Sequence, residues 1–192
     1  MNIFKTSERN EWRDYLSAHF ESLSEVWFVF PTKDSGEAGL SYNDAVEEAL
    51  CFGWIDSTQK VIGGVRMQRF TPRRKGSLWT ERNKERVRRL ERLGRMTDAG
   101  RAVLPPMGQR SFRIDPDVEA ALKKARVWSR FKAFPPLYQR IRAYNTAFYK
   151  RRDAAAYEKA LSHLIEATRQ GKMYGEWNDY GRLLEFEDTG DR

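Results

Sequence analysis

Residues 41–56 read SYNDAVEEALCFGWID, and residues 57–72 continue STQKVIGGVRMQRFTP. Within this stretch the apolar spacing changes from that of a helix to that of strands, and the change decides the fold class. Ser41 and Asp44 form an S-x-x-D capping pattern, and Tyr42, Ala45, Val46, Ala49 and Leu50 recur at helical spacing. Gly53 then ends the helix, because glycine alone takes the left-handed cap without steric cost. Trp54 to Ile62 reads as a strand, Gly63-Gly64 as a tight turn, and Val65 to Thr71 as the antiparallel partner that Pro72 stops.

Upstream, Trp12, Tyr15, Leu16, His19 and Phe20 place one apolar stripe on a helix over 7–21. EVWFVF (25–30), closed by Pro31, predicts a buried strand, and 32–39 a loop. Downstream, PRRKGSLW (72–79) is a basic loop, and Thr80 caps a helix to about Leu93 with Val87, Leu90 and Leu93 on its stripe. Gly94 terminates it, and Thr97 starts a short helix that Pro105-Pro106 stops. Residues 105–116 read as a linker, with SFRI (111–114) a candidate edge strand. Asp115-Pro116, Pro135-Pro136 and Asp153 open three further helices, the last running to about Gln170 with Tyr157, Leu161, Leu164, Ile165 and Thr168 on its buried face.

The fold class expected is α+β: a small, mainly antiparallel sheet of three to four strands packed by helices, followed by a helical C-terminal lobe. The domains run 1–104, a linker 105–116, a helical domain 117–171 and an acidic-aromatic tail 172–192. No internal repeat or low-complexity region is present.

The chain has 192 residues, 40% of them hydrophobic and 13% aromatic, which supplies a core and excludes general disorder. The longest apolar run, Val26 to Phe30, is too short to span a bilayer. The first residues, MNIFKTSERNEWRDYL, lack a secretory pattern. A single cysteine, Cys51, excludes an intramolecular disulfide framework and fits a reducing compartment. These features predict a soluble, cytoplasmic protein without membrane insertion. Nothing in them sets an oligomeric state.

The net charge is +8, and it is concentrated. Between Arg66 and Arg101 lie thirteen basic and four acidic residues, a net +9, so the rest of the chain sums to −1. The last 21 residues carry three bases and six acids, and residues 176–191 are expected to fold back onto the basic segment. Tyr174, Trp177, Tyr180, Leu183, Leu184 and Phe186 give that tail apolar surface to dock with.

Neither His19 nor His163 has a ligand partner at helical spacing, so no metal and no cofactor is expected. Cys51 reads as packing, and Glu47 and Glu48 read as a solvated helix face. Asp56, an acid within the strand sequence WIDSTQ, fits a structural ion pair, a backbone acceptor or a pocket residue. The richer constellation is aromatic and basic: Trp54, Asp56, Arg69, Arg73, Arg74, Ser77, Trp79, Asn83 and Lys84. A helix start at Thr80 offers free backbone N–H groups to an anion, and arginine beside tryptophan suits a stacked ring. The same residues also fit a second reading, in which Trp54 and Trp79 are core anchors and the arginines solvate a helix.

ALCFGWID (49–56), QRFTPRRKGSLWTERNKERV (68–87) and GRMTDAG (94–100) resemble the YdeI/OmpD-associated family, labelled bacteriocin-protection proteins. EVWFVFPTK and SYNDAVEEAL match its lead-in, and residues 117–171 are similar to its C-terminal domain. The resemblance implies a small α+β bacterial protein, usually cytoplasmic, and carries over no catalytic residue. Where family members often have an aspartate-containing stretch in the hairpin, this chain has KVIGGVRM (60–67). Three functions follow as expectations. The first is a binding module whose Arg/Trp surface holds a nucleotide, nucleic acid or phosphorylated metabolite. The second is an enzyme with a pocket around Asp56, using Arg69, Arg73 or Asn83. The third is a protein-interaction factor in bacteriocin or envelope-stress tolerance.

Overall fold

The structure is a computed structural model and describes residues 1–32, 36–108 and 111–184. It divides into two units, one of residues 1–78 and 86–105, the other of residues 79–85 and everything from 106 onward. The division falls inside a helix, α3 (Glu81–Arg92), whose first turn groups with the C-terminal unit rather than with the α+β domain.

In the first unit the strands β2 (Val26–Phe30), β3 (Trp54–Ile62) and β4 (Val65–Pro72) form one sheet, as the hairpin pattern predicts. β4 lies between the other two and is antiparallel to both. A two-residue strand, β1 (Ile3–Phe4), adds in parallel beside β2, so the sheet is mixed with order β1-β2-β4-β3. Gly63 and Gly64 both have positive φ, 56° and 79°, the conformation that a two-residue hairpin turn demands.

The pairing Val26↔Phe70, Phe28↔Gln68 and Phe30↔Arg66 puts these six side chains on one face by the period of two. That face carries α1 (Arg9–His19) and α2 (Tyr42–Cys51), which pack on each other. Trp12 of α1 is fully buried, with ring centroids 5.0 Å from Phe28 and 5.6 Å from Phe70. Its Nε1 donates to the Ala45 carbonyl at 3.0 Å, which satisfies the one polar atom of the ring and joins α1 to α2. On the opposite face, Lys60 Nζ lies 4.8 Å from the Trp27 ring centroid.

The Ser41 cap forms as read: its Oγ accepts from Asp44 N at 3.1 Å. The expectation for Glu47 and Glu48 fails, because both are completely buried. Every residue from Ala45 to Cys51 is buried, so α2 is covered on all sides and has no solvated face.

The second unit holds α5 (Pro116–Lys124), α6 (Trp128–Lys132), α7 (Pro136–Ala147) and α8 (Ala154–Arg169) around Leu122, Phe131, Leu137, Tyr138, Ile141 and Leu164. The edge strand expected at 111–114 does not form. Phe112 and Ile114 instead pack against this helical core, a use of alternate apolar residues that needs no partner strand. The tail expectation also changes. Trp177 and Leu183 belong to the same core, with Tyr174 and Leu184 against it, so the apolar half of the tail is occupied within its own unit. Phe186 and the acids from Glu185 onward lie outside the described residues.

α4 (Asp98–Ala102) closes the first unit against α2. Thr97 caps it by accepting from Gly100 N, and the Thr97 hydroxyl donates to the Cys51 carbonyl at 2.6 Å. A Cβ on Gly100 would stand 2.2 Å from that same carbonyl oxygen, so the close approach requires glycine. Gly100→Ala is therefore expected to lower stability by about 1–3 kcal/mol, the usual range for overpacking. A urea midpoint equal to that of the parent would show that the two helices separate without penalty.

Candidate functional site

The residues predicted to form an Arg/Trp site have separate local partners. Trp54 is buried and its Nε1 donates to the Phe20 carbonyl at 3.3 Å, so it is a core anchor. Asp56 pairs with Phe70 across the strands and faces the helices, where it accepts from the Tyr42 hydroxyl at 2.5 Å. Burial first, and then the Asp56 carboxylate, raises the Tyr42 phenol above its ordinary range. Arg69 pairs with Trp27 and so faces the other side of the sheet, where its Nε meets Glu25 at 2.6 Å. One residue of offset on β4 is enough to separate Arg69 from Asp56.

Arg73, expected to be a surface anion contact, is buried. Its Nη1 donates to the Leu78 carbonyl at 3.1 Å, and Ser77 Oγ lies 3.4 Å away, so Arg73 shapes the PRRKGS loop. Arg74 is exposed. In the second unit, Trp79 is buried, Asn83 N donates to the Thr80 hydroxyl at 3.1 Å as the predicted helix cap, and Lys84 pairs with Glu81 at 2.8 Å.

Glu47 and Glu48, which the sequence pattern places on the surface, gather arginines both from α1 and from the basic segment. Arg9 reaches Glu48 at 2.5 Å, Asp44 at 2.8 Å and Glu47 at 2.9 Å. Arg13 and Arg95 reach Glu48 at 2.8 and 2.6 Å, and Arg89 reaches Glu47 at 3.2 Å. Burial and the neighbouring Glu48 push the adjacent Cys51 thiol up to about 12, so it stays protonated at neutral pH and is a poor nucleophile.

The helical unit contains a cleft of about 420 Å³ that the sequence reading did not find. Arg142, Asn145 and Thr146 on α7, with Tyr149 just after it, line one wall at the spacing i, i+3, i+4, i+7. His163 of α8 and Tyr174 line another, their rings stacked with centroids 4.1 Å apart, and Thr80 completes it. Arg142 is 8% exposed, and its Nε has no hydrogen-bond partner. Among the described residues no carboxylate pairs with it, and none lines the cleft. Its guanidinium lies 4.9 Å from the Tyr174 ring centroid. Burial raises the Tyr174 phenol, and Arg142 opposes that rise. Gly175 makes the approach possible: a Cβ there would stand 2.8 Å from both terminal guanidinium nitrogens.

Two other arginines, buried Arg86 and half-buried Arg140, have side-chain partners. Arg86 donates to Asn43 Oδ1 at 2.8 Å, and Arg140 meets Glu85 at 2.9 Å. A buried cation with no counter-charge among the described residues is the arrangement that an anionic ligand completes. Among the described residues no cluster of His, Cys, Asp and Glu is arranged to hold a metal ion, and no helix is long and apolar enough to cross a membrane.

A family described as a domain of unknown function, DUF8412, matches residues 4–103, just over half of the chain. The chain belongs to that family. The DUF8412 region runs from β1 to α4, and of the cleft residues it includes only Thr80. Comparison with curated proteins and with solved structures gives no match.

Two measurements check this placement of charge. Glu48→Gln removes the charge that three arginines share, and it is expected to destabilise by about 3–5 kcal/mol, as when one member of a buried ion pair is lost. A loss below about 1 kcal/mol would mean that water replaces the carboxylate. Arg73→Ala is expected to lower stability by about 1–2 kcal/mol through its lost hydrogen bonds and packing, and Arg74→Ala by less than about 0.5 kcal/mol. Equal effects would remove the structural role given to Arg73.

Proposed function

We propose that this DUF8412 protein is a binding module for a small anionic ligand, held by Arg142 in the cleft of the helical unit. The observation that carries the reading is an arginine that is 8% exposed as a residue, with no carboxylate partner among the described residues. Desolvating a charge is unfavourable by several kcal/mol unless an opposite charge compensates it, and arginine does not relieve the strain by losing its proton. His163, Thr80 and Thr146 supply further donors around the same space.

The proposal puts the anion in the helical unit rather than on the Arg/Trp surface expected from the sequence, because Trp54 and Trp79 are buried, Arg69 meets Glu25 and Arg73 donates to the Leu78 carbonyl. The proposal retains the resemblance to the YdeI/OmpD-associated family, which rests on CFGWID and PRRKGSLW. It also retains a reducing, cytoplasmic setting, which a single buried free thiol supports.

The test is calorimetric titration with inorganic phosphate and with sulfate, using the parent and Arg142→Met. The parent is expected to bind and to gain about 2.7 kcal/mol of stability at one hundred times the dissociation constant. Arg142→Met is expected to fold at least as stably, because it removes an uncompensated charge, and to lose the binding. Equal binding by both proteins, or none by the parent, would contradict the proposal. Binding of duplex DNA with a steep salt dependence, weakened by Arg92→Glu and not by Arg142→Met, would assign the function to the exposed basic surface instead.

A further inference from the structure

The size and lining of the cleft exceed what a simple anion needs. A phosphate or sulfate group placed at Arg142 occupies a small part of about 420 Å³, a volume within the range of clefts that take whole metabolites. The remainder is lined largely by rings. Tyr144, Phe148 and Tyr149 come from the end of α7 and the turn after it, and His163 and Tyr174 form a stacked pair on the opposite side. Phe148 and Tyr149 are 39% and 40% exposed, and their rings stand nearly perpendicular, 5.6 Å apart. Two large rings half open to solvent beside a cleft are a stacking surface rather than core, and the Arg152 guanidinium, 3.7 Å from the Phe148 centroid, already stacks on one of them.

The order of these groups along the chain sets a length. Asn145 and Thr146 follow Arg142 by one helical turn, about 5 Å along the axis, and Phe148 and Tyr149 follow by roughly 10 Å. Anion contact and ring contact are therefore separated by a sugar-sized spacer. Asn145, between the two, is half-buried and forms no side-chain hydrogen bond among the described residues. A carboxamide offers a donor and an acceptor together, which matches the mixed edge of a heterocyclic base and has nothing to pair with on a plain phenyl ring.

On the reading of the cleft as an anion site, we infer that its ligand is a nucleoside monophosphate. The phosphate meets Arg142 beside the Tyr174 ring, the base stacks against Phe148 and Tyr149, and Asn145 reads the base edge. Arg142 fixes the phosphate end because its guanidinium is planar and is held between the Tyr174 ring and the Gly175 backbone.

The experiment titrates the full chain calorimetrically, at one salt concentration, with adenosine 5′-monophosphate, adenosine, phenyl phosphate and inorganic phosphate. The nucleotide is expected to bind at least tenfold more tightly than inorganic phosphate or phenyl phosphate. Asn145→Ala and Phe148→Ala are expected to weaken nucleotide binding about tenfold and to leave inorganic phosphate binding unchanged. Arg142→Lys, which keeps the charge and loses the planar fork, is expected to weaken both. Inorganic phosphate binding as tightly as the nucleotide, with Arg142 still required, would overturn the nucleotide assignment and leave the anion site standing. Phenyl phosphate matching the nucleotide would do the same. Nucleotide binding that survives Arg142→Met would overturn the placement of the phosphate, and no binding of any anion would overturn both readings.

Discussion

Two adjacent carboxylates buried on one helix govern the first unit. Glu47 and Glu48 have no access to water, and each is acceptable there only because arginines from α1, α3 and the segment after α3 converge on them. This requirement ties together segments 35 to 47 residues apart in sequence. It also bears on how a segment with a formal +9 folds beside a helix of acidic character: Arg89 and Arg95 of that segment serve as counter-ions rather than as a charged surface.

The same rule, applied to the helical unit, isolates Arg142. Arg140, two residues earlier on α7, has Glu85 beside it, whereas Arg142 has a tyrosine ring and a glycine backbone. Neither of these neutralises it. Among the described residues the difference lies in the carboxylate and not in burial, since both arginines are largely covered. The proposed binding function rests on charge matching within the helical unit rather than on the density of basic residues in the sequence.

Much of the fold was legible because it is encoded locally. The Ser41 cap, the α2 stripe, the Gly63-Gly64 turn and the apolar run of β2 each depend on neighbours within a few residues, and each forms as read. β1 was missed because two residues carry no period, and its pairing depends on β2. Phe112 and Ile114 were misread because alternation fits both a strand and a loop that inserts every second side chain into a core. Glu47 and Glu48 were misplaced because a helical wheel shows one apolar face and cannot show that arginines close the other.

The site was less legible than the fold for a related reason. A basic, aromatic segment draws attention, yet whether an arginine is free depends on distant carboxylates. The polar stripe Arg142, Asn145, Thr146 and Tyr149 was present in RAYNTAFY at ordinary helical spacing, next to the apolar Leu137, Tyr138 and Ile141. That stripe was the available signal, and only the fold reveals that no carboxylate among the described residues pairs with its arginine. The most direct measurement is crystallographic: crystals grown without phosphate or sulfate, soaked in selenate and measured at the selenium edge. An anomalous peak within hydrogen-bonding reach of the Arg142 guanidinium is the predicted result. Peaks confined to exposed groups such as Arg74 and Arg92, with none in the cleft, would contradict the account.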